Sequence, residues 1–246
     1  MKKIFAFVGS SRGDKSNTFQ AVKMLVEYLI NLDGEIQAEI FTADKLEINF
    51  CRACLACSKN GKCLFDDQDD MGLLKEKMRA ADLVIFASPN YVRNVSGQMK
   101  TFLDRLYSWY HTLELSGKAG LAVMASAGPV TGICEADEGA KYLAGVQIGL
   151  GIKALGYRIF GSGLPGHFWE SEKVKAMIEE LSKIALPYIS GGKPVESDER
   201  LETVFREVKE RVATIPYMAG EKAQMEAKGF MNCATFAQVL EKVKGE

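Results

Sequence analysis

Short apolar runs that stop at glycine or proline, each followed by a helical period, constrain this chain more than any other feature. Residues 4–8 are continuously apolar and end at Gly9, residues 83–87 end at Ser88-Pro89, and residues 119–125 end at Ser126-Ala127-Gly128. Runs of this length without polar alternation belong to strands buried on both faces. Residues 36–41 alternate and predict a further strand, and residues 157–161 a short fifth one. Between the strands, residues 17–32 place Val22, Leu25, Val26, Leu29 and Ile30 on one helical face. Residues 71–79 and 98–110 also read as helices, and residues 135–155 contain a longer one with a break near Gly149 and Gly151. Strands alternating with helices imply parallel βαβ units with right-handed crossovers. The expected fold is therefore α/β, a three-layer sandwich around a five-stranded parallel sheet, with any ligand beyond the C-terminal ends of the strands.

The first unit spans residues 1–165, with a cysteine-rich insertion at 50–64; residues 170–246 form a C-terminal helical extension without a convincing strand. Helices are expected there at 171–189, 198–218 and 234–243, with Gly191-Gly192-Lys193-Pro194 as a break. A lid, a dimer arm and a partner-binding module all remain open for this extension. The net charge of −1 over 246 residues excludes nucleic acid as the main partner, which calls for a basic face. No apolar run approaches the roughly 18 residues needed to cross a bilayer, so no membrane association is expected. The apolar N-terminal run leads into a glycine turn rather than a cleavage site, and a cytoplasmic location is the expectation.

Four of the six cysteines fall in CRACLACSKNGKC, as Cys51, Cys54, Cys57 and Cys63. In a reducing compartment, such clustering points to metal or redox work rather than to structural disulfides. Three thiolates at steps of three can converge where the backbone winds tightly, and Gly61 lets the chain turn back to bring the fourth. A 4Fe–4S cluster takes one sulfur per iron and suits one dense run. Zinc also accepts four thiolates, though its sites more often pair two separated knuckles. Unligated thiols are the third reading. Cys134 and Cys233 stand alone and read as small buried hydrophobes. Asp66, Asp67, Asp69 and Asp70 are expected in a solvated turn and at a helix N-terminus. His111 and His167 have no paired ligand spacing and receive no catalytic role.

The first loop, GSSRGDKSNT, joins a strand to a helix, where backbone N–H groups favour a phosphate. It approaches the nucleotide-triphosphate pattern GxxxxGK[ST] but carries Asp14 in place of the second glycine. No later buried strand ends in an aspartate suited to magnesium. A single terminal phosphate fits better than a polyphosphate, and a plain polar helix cap is the competing reading.

Together GSSRGDKSNT, SPNYVRNVSGQMKTFLDR and the cysteine run followed by DDQDDM resemble the NADPH-dependent FMN reductase superfamily of flavodoxin-like proteins, most of all its iron–sulfur flavoprotein branch. The resemblance covers about the first 165 residues. It implies that Ser10, Arg12, Ser16, Asn17 and Thr18 cradle an FMN phosphate. It also implies that Pro89, Asn90, Tyr91 and Val92 line the isoalloxazine, and that Ser126, Ala127 and Gly128 approach its other edge. It assigns Cys51, Cys54, Cys57 and Cys63 to a 4Fe–4S cluster, and places Lys100, Asp104 and Arg105 on a helix associated with subunit packing. Ser11 departs from the usual proline of the phosphate loop. The activity so implied is an FMN-dependent oxidoreductase without an acid–base residue. NAD(P)H or a reduced electron-carrier protein would be the donor, a small molecule or protein the acceptor, and the assembly a homo-oligomer, dimer or tetramer. Cluster-free reduction of flavin, quinone or nitro compounds, a P-loop nucleotide hydrolase and a zinc-stabilised binding module are the alternatives.

Overall fold

The computed structural model describes residues 2–126, 136–161 and 172–245. Five strands, β1 (Lys2–Val8), β2 (Ile36–Thr42), β3 (Leu83–Pro89), β4 (Ala119–Ser126) and β5 (Lys153–Gly161), form one sheet in the order β2-β1-β3-β4-β5. Every pairing is parallel. Residue alternation along each strand divides the core in two, as a sheet covered on both faces requires. Phe5, Phe7, Val84, Phe86, Ala122 and Met124 face one core, while Ile4, Ala6, Val8, Leu83, Ile85, Ala87, Leu121 and Val123 face the other.

The second core is closed by α1 (Asn17–Leu32) and α7 (Glu172–Ile189). The helical period read in residues 17–32 is realised residue for residue, with Ser16 capping α1 by accepting the N–H of Phe19 at 3.1 Å. On the first core lie α3 (Met71–Ala80), α4 (Gly97–Asp104) and α6 (Asp137–Gly149). The single helix expected over 98–110 divides into α4 and α5 (Tyr107–Tyr110). The N–H of Arg105 is shared between the carbonyls of Thr101 and Phe102, that of Leu106 reaches back only three residues to Leu103, and this tightening turn ends the α-helical ladder. The last strand begins at Lys153, earlier than its apolar stretch suggested, and a register shift between Gly120 and Leu121 passes over Leu155 as a bulge.

The C-terminal extension is not a separate layer. Leu201, Phe205, Val208 and Val212 of α8 (Glu199–Thr214) and Phe236, Val239 and Leu240 of α10 (Phe236–Lys244) join the first core. Between them α9 (Ala219–Ala227), absent from the sequence expectation, packs on α2 (Ala56–Asn60), the short helix inside the cysteine run. A Cβ on Gly220 would stand 2.5 Å from the Lys59 carbonyl, so glycine is what lets the two backbones touch. No described helix is long and apolar enough to cross a membrane.

Candidate functional site

The C-terminal ends of β1, β3 and β4 lie side by side, with Val8 opposite Ala87 and Ala87 opposite Val123, and the loops after β1 and β3 leave from this edge. They are tied together by hydrogen bonds. Gly9 N–H donates to the Ala87 carbonyl at 2.8 Å, and the buried Ser96 hydroxyl donates to the Gly9 carbonyl. Ser96 N–H in turn donates to the Ser88 hydroxyl at 2.9 Å. Asn90 N–H donates to the Ala125 carbonyl at 2.7 Å, and its side-chain amide to the Ser126 hydroxyl at 3.4 Å. A Cβ on Gly9 would lie 2.6 Å from the Met99 Cβ, so the first loop and α4 approach as closely as they do only through glycine. The structure thus brings the 9–18 loop, residues 88–92 and Ser126 onto one edge. Ala127 and Gly128, like Cys134 and His167, lie outside the described residues.

Within the first loop, Gly13–Lys15 forms a single 3-10 turn. The amides of Gly13, Lys15 and Ser16 donate to carbonyls of Ser10, Arg12 and Gly13, so they cannot wrap a triphosphate. Asp14 turns outward to Lys45. By contrast, the N–H groups of Ser11 and Thr18 donate to no described residue, and Thr18 sits in the first turn of the 16-residue α1. Unpaired amides at a helix N-terminus, with the buried hydroxyls of Ser10 and Thr18 beside them, suit one phosphate group. Ser16 is mainly a cap: its hydroxyl donates to the Gly13 carbonyl at 2.7 Å while accepting from Phe19. Arg12 is exposed, and Asn17 buried.

Residues 91–94 form a tight reversal in which Tyr91 and Asn94 exchange backbone hydrogen bonds of 2.8 and 3.1 Å. Its two central residues, Val92 and Arg93, have φ of 51° and 64°. A β-branched side chain at positive φ is an outlier that costs about 1–3 kcal/mol. Val92 is also 99% exposed. Strain and exposed apolar surface therefore coincide at the rim of the loop cluster.

The cysteine run lies after β2. Its four thiols border one mostly apolar hollow of about 140 Å³, together with Arg52, Ala53, Leu55, Leu64, Phe65, Arg105 and Tyr107. Ala53 and Leu55, between the first three cysteines, have φ of 49° and 54°, and Gly61 ends α2 at φ 73°. These left-handed residues curl the run so that Cys51, Cys54, Cys57 and Cys63 share one space. The N–H groups of residues 52–55 donate to no described residue. Cys51 and Cys54 are exposed, Cys57 and Cys63 half-buried. Burial, then the nearby Glu221 carboxylate and the other thiols, push the Cys57 thiol up to about 11. Among the described residues no three His, Cys, Asp or Glu side chains are drawn tightly enough to hold a single metal ion.

The acidic stretch leads into the N-terminus of α3 with Asp67 exposed, as expected, but Asp66 and Asp69 depart from a solvated turn. Asp69 is fully buried at its carboxylate and accepts hydrogen bonds from the N–H groups of Asn49 and Met71 and from both terminal nitrogens of Arg105. Burial opposes its charge, yet these donors hold its carboxyl below the usual range. Asp66 pairs with Arg105 and, at 2.7 Å, with Lys75. Arg105 also donates to the Asn49 carbonyl at 3.0 Å. This network pins both ends of the cysteine run to the body of the protein. The resemblance places Arg105 on a helix associated with subunit packing; the structure adds that its buried side chain holds this network together beside the hollow.

Comparison with known proteins agrees with this geometry. The NADPH-dependent FMN reductase family matches residues 2–142. An iron–sulfur flavoprotein of Archaeoglobus fulgidus is 35% identical over 183 residues, covering 74% of this chain and 80% of that protein. One from Methanocaldococcus jannaschii is 31% identical over 183 residues, covering 72% and 87%. Among solved structures, an FMN-dependent NADH-azoreductase from Bacillus anthracis in complex with FMN superposes with a TM-score of 0.52 at 17% identity, over 77% of this chain and all of that one. That likeness speaks to the fold. Fold, loop cluster and sequence matches converge on one conclusion: the chain belongs to the NADPH-dependent FMN reductase family, in its iron–sulfur flavoprotein branch.

Proposed function

We propose that this FMN reductase-type oxidoreductase couples FMN, seated on the β1, β3 and β4 loop cluster, to a 4Fe–4S cluster held by Cys51, Cys54, Cys57 and Cys63. The observation that carries the reading is the mutual tethering of the loops after β1 and β3 and the end of β4 through Gly9, Ser96 and Asn90 at one edge of the sheet. Ser10, Thr18 and the unpaired amides of the first loop would hold the phosphate, with Arg12 and Asn17 beside them and Ser16 fixing the helix end. Pro89, Asn90, Tyr91 and Val92 would border the ring, with Ser126, Ala127 and Gly128 at its far edge.

Bound FMN supplies hydride acceptance from a reduced nicotinamide and onward release of single electrons. This chain's residues position and shield it, and no acid–base side chain is required. For the cysteines, a zinc ion would require all four sulfurs within about 4 Å of one another, as tetrahedral 2.3 Å bonds dictate. A cluster takes one sulfur per iron, which fits four thiols spread around the walls of a shared hollow.

The physiological reductant is NAD(P)H or a reduced carrier protein, the acceptor a small molecule or protein, and the working unit a cytoplasmic homo-oligomer. The test is anaerobic purification followed by counts of FMN, iron and sulfide per chain and spectra before and after dithionite. One FMN with about four irons and four sulfides supports the reading; FMN without iron removes the cluster, and no FMN removes the function.

A further inference from the structure

Arg105 follows the last residue of α4, and its side chain is 1% exposed. Both terminal nitrogens are committed, to Asp69 end-on, to Asp66 at 3.3 Å and to the Asn49 carbonyl. The remaining donor, Nε–H, is buried and finds no acceptor. An unsatisfied buried donor costs about 1–3 kcal/mol, and more when it belongs to a charged group. Such an orphan calls for an explanation. Arg105 lines the hollow bordered by the four cysteines, a space without another buried cation among its lining residues, since Arg52 is exposed and lies over the Phe65 ring at 4.5 Å. A lysine could have paired with Asp69 from the same place. Arginine adds the fork that also reaches Asp66 and the Asn49 carbonyl, and a further donor at Nε, turned aside from the end that the carboxylate holds. Burial opposes the guanidinium charge, while Asp69, Cys63 and Asp66 favour it.

We propose that Arg105 donates its Nε–H to a sulfur of the cluster in the cysteine hollow and thereby raises the potential at which that cluster accepts an electron. The inference rests on the cluster reading above. Hydrogen bonds to cluster sulfur and nearby positive charge both stabilise the reduced, more negative state. The Asp69 clamp gives the donor a fixed position, so Arg105 touches the cluster while remaining structurally immobile.

The experiment compares wild type with Arg105→Lys, which keeps a cation beside Asp69 and removes the Nε donor. Cluster content is measured first, then the midpoint potential by EPR-monitored titration with mediators. The expected result is wild-type iron and sulfide with the reduced-to-oxidised ratio at a fixed potential lowered about tenfold, a shift of about 59 mV for one electron. An unchanged potential at full iron content overturns the proposal while leaving the cluster in place. A second measurement needs no change at Arg105, and so decides the matter if the lysine variant fails to hold iron. Protein containing 15Nε-arginine in an Arg52→Lys background is reduced with dithionite and examined by pulsed EPR. A 15N coupling to the cluster spin supports the assignment, and its absence overturns it. FMN-containing wild-type protein devoid of iron and sulfide overturns the cluster reading and this inference together.

Discussion

Val92 combines two conditions that a folded chain ordinarily avoids, a β-branched residue at positive φ and an apolar side chain fully in water. In Val92→Gly, relief of about 1–3 kcal/mol of strain outweighs the roughly 0.5–1 kcal/mol of added chain freedom. Urea unfolding of the cofactor-free variant should therefore show a net gain of about 1 kcal/mol, with weaker FMN binding; a less stable variant would place the strain elsewhere. His111 makes a separate prediction at this scale. It is buried against Tyr107 and Tyr110, and burial first, then the charge of Arg211, lower its pKa from 6.5 to about 4. The unfolded chain takes up this proton near 6.5 and the folded chain only near 4. Stability present above 6.5 is lost as pH falls through that window, by about 3 kcal/mol. In His111→Phe the denaturant midpoint should fall less between pH 6.5 and 4 than in wild type; parallel curves would refute the assignment. Neither residue announces itself in the sequence, because the strain at Val92 and the burial of His111 both come from tertiary placement.

Periodicity made most elements legible. The apolar face of α1 and the continuous apolar runs of β1, β3 and β4 follow from side chains facing two cores, and the glycine after β1 marks the close approach of α4. Where the backbone hydrogen bonds outvote side-chain pattern, as at the 3-10 turn dividing α4 from α5, periodicity carries no trace of the break. The site was legible in part: loop chemistry and cysteine spacing singled out the loop cluster and the cysteine hollow, whereas the Arg105–Asp69 pair needed residues 36 apart to be brought together. The packing of α9 on α2 was equally invisible, since Gly220 reads only as a helix-weakening residue. In Gly220→Val the side chain must displace the Lys59 backbone, a strain of about 1–3 kcal/mol. The expected outcome is a lower melting temperature and faster protease cleavage within residues 51–63; unchanged cleavage would mean that α9 does not hold the cysteine run.

Across the whole molecule, the sheet sets the geometry and the extension completes it. Parallel strands bring the loops after β1 and β3 and the end of β4 to one edge, while α8 and α10 join the first core and α9 packs on α2 within the cysteine run. The extension therefore belongs to the architecture around the cysteine hollow. The central claim nevertheless lies at the sheet edge, where the amides of Ser11 and Thr18 and the hydroxyls of Ser10 and Thr18 await one phosphate. Charge-assisted hydrogen bonds to such a group contribute about 1.5–3 kcal/mol each. Fluorescence titration of the cofactor-free protein with FMN and with riboflavin measures this directly. The account predicts FMN to bind at least about 100-fold more tightly, equivalent to about 2.7 kcal/mol, and equal affinities for the two flavins would contradict it.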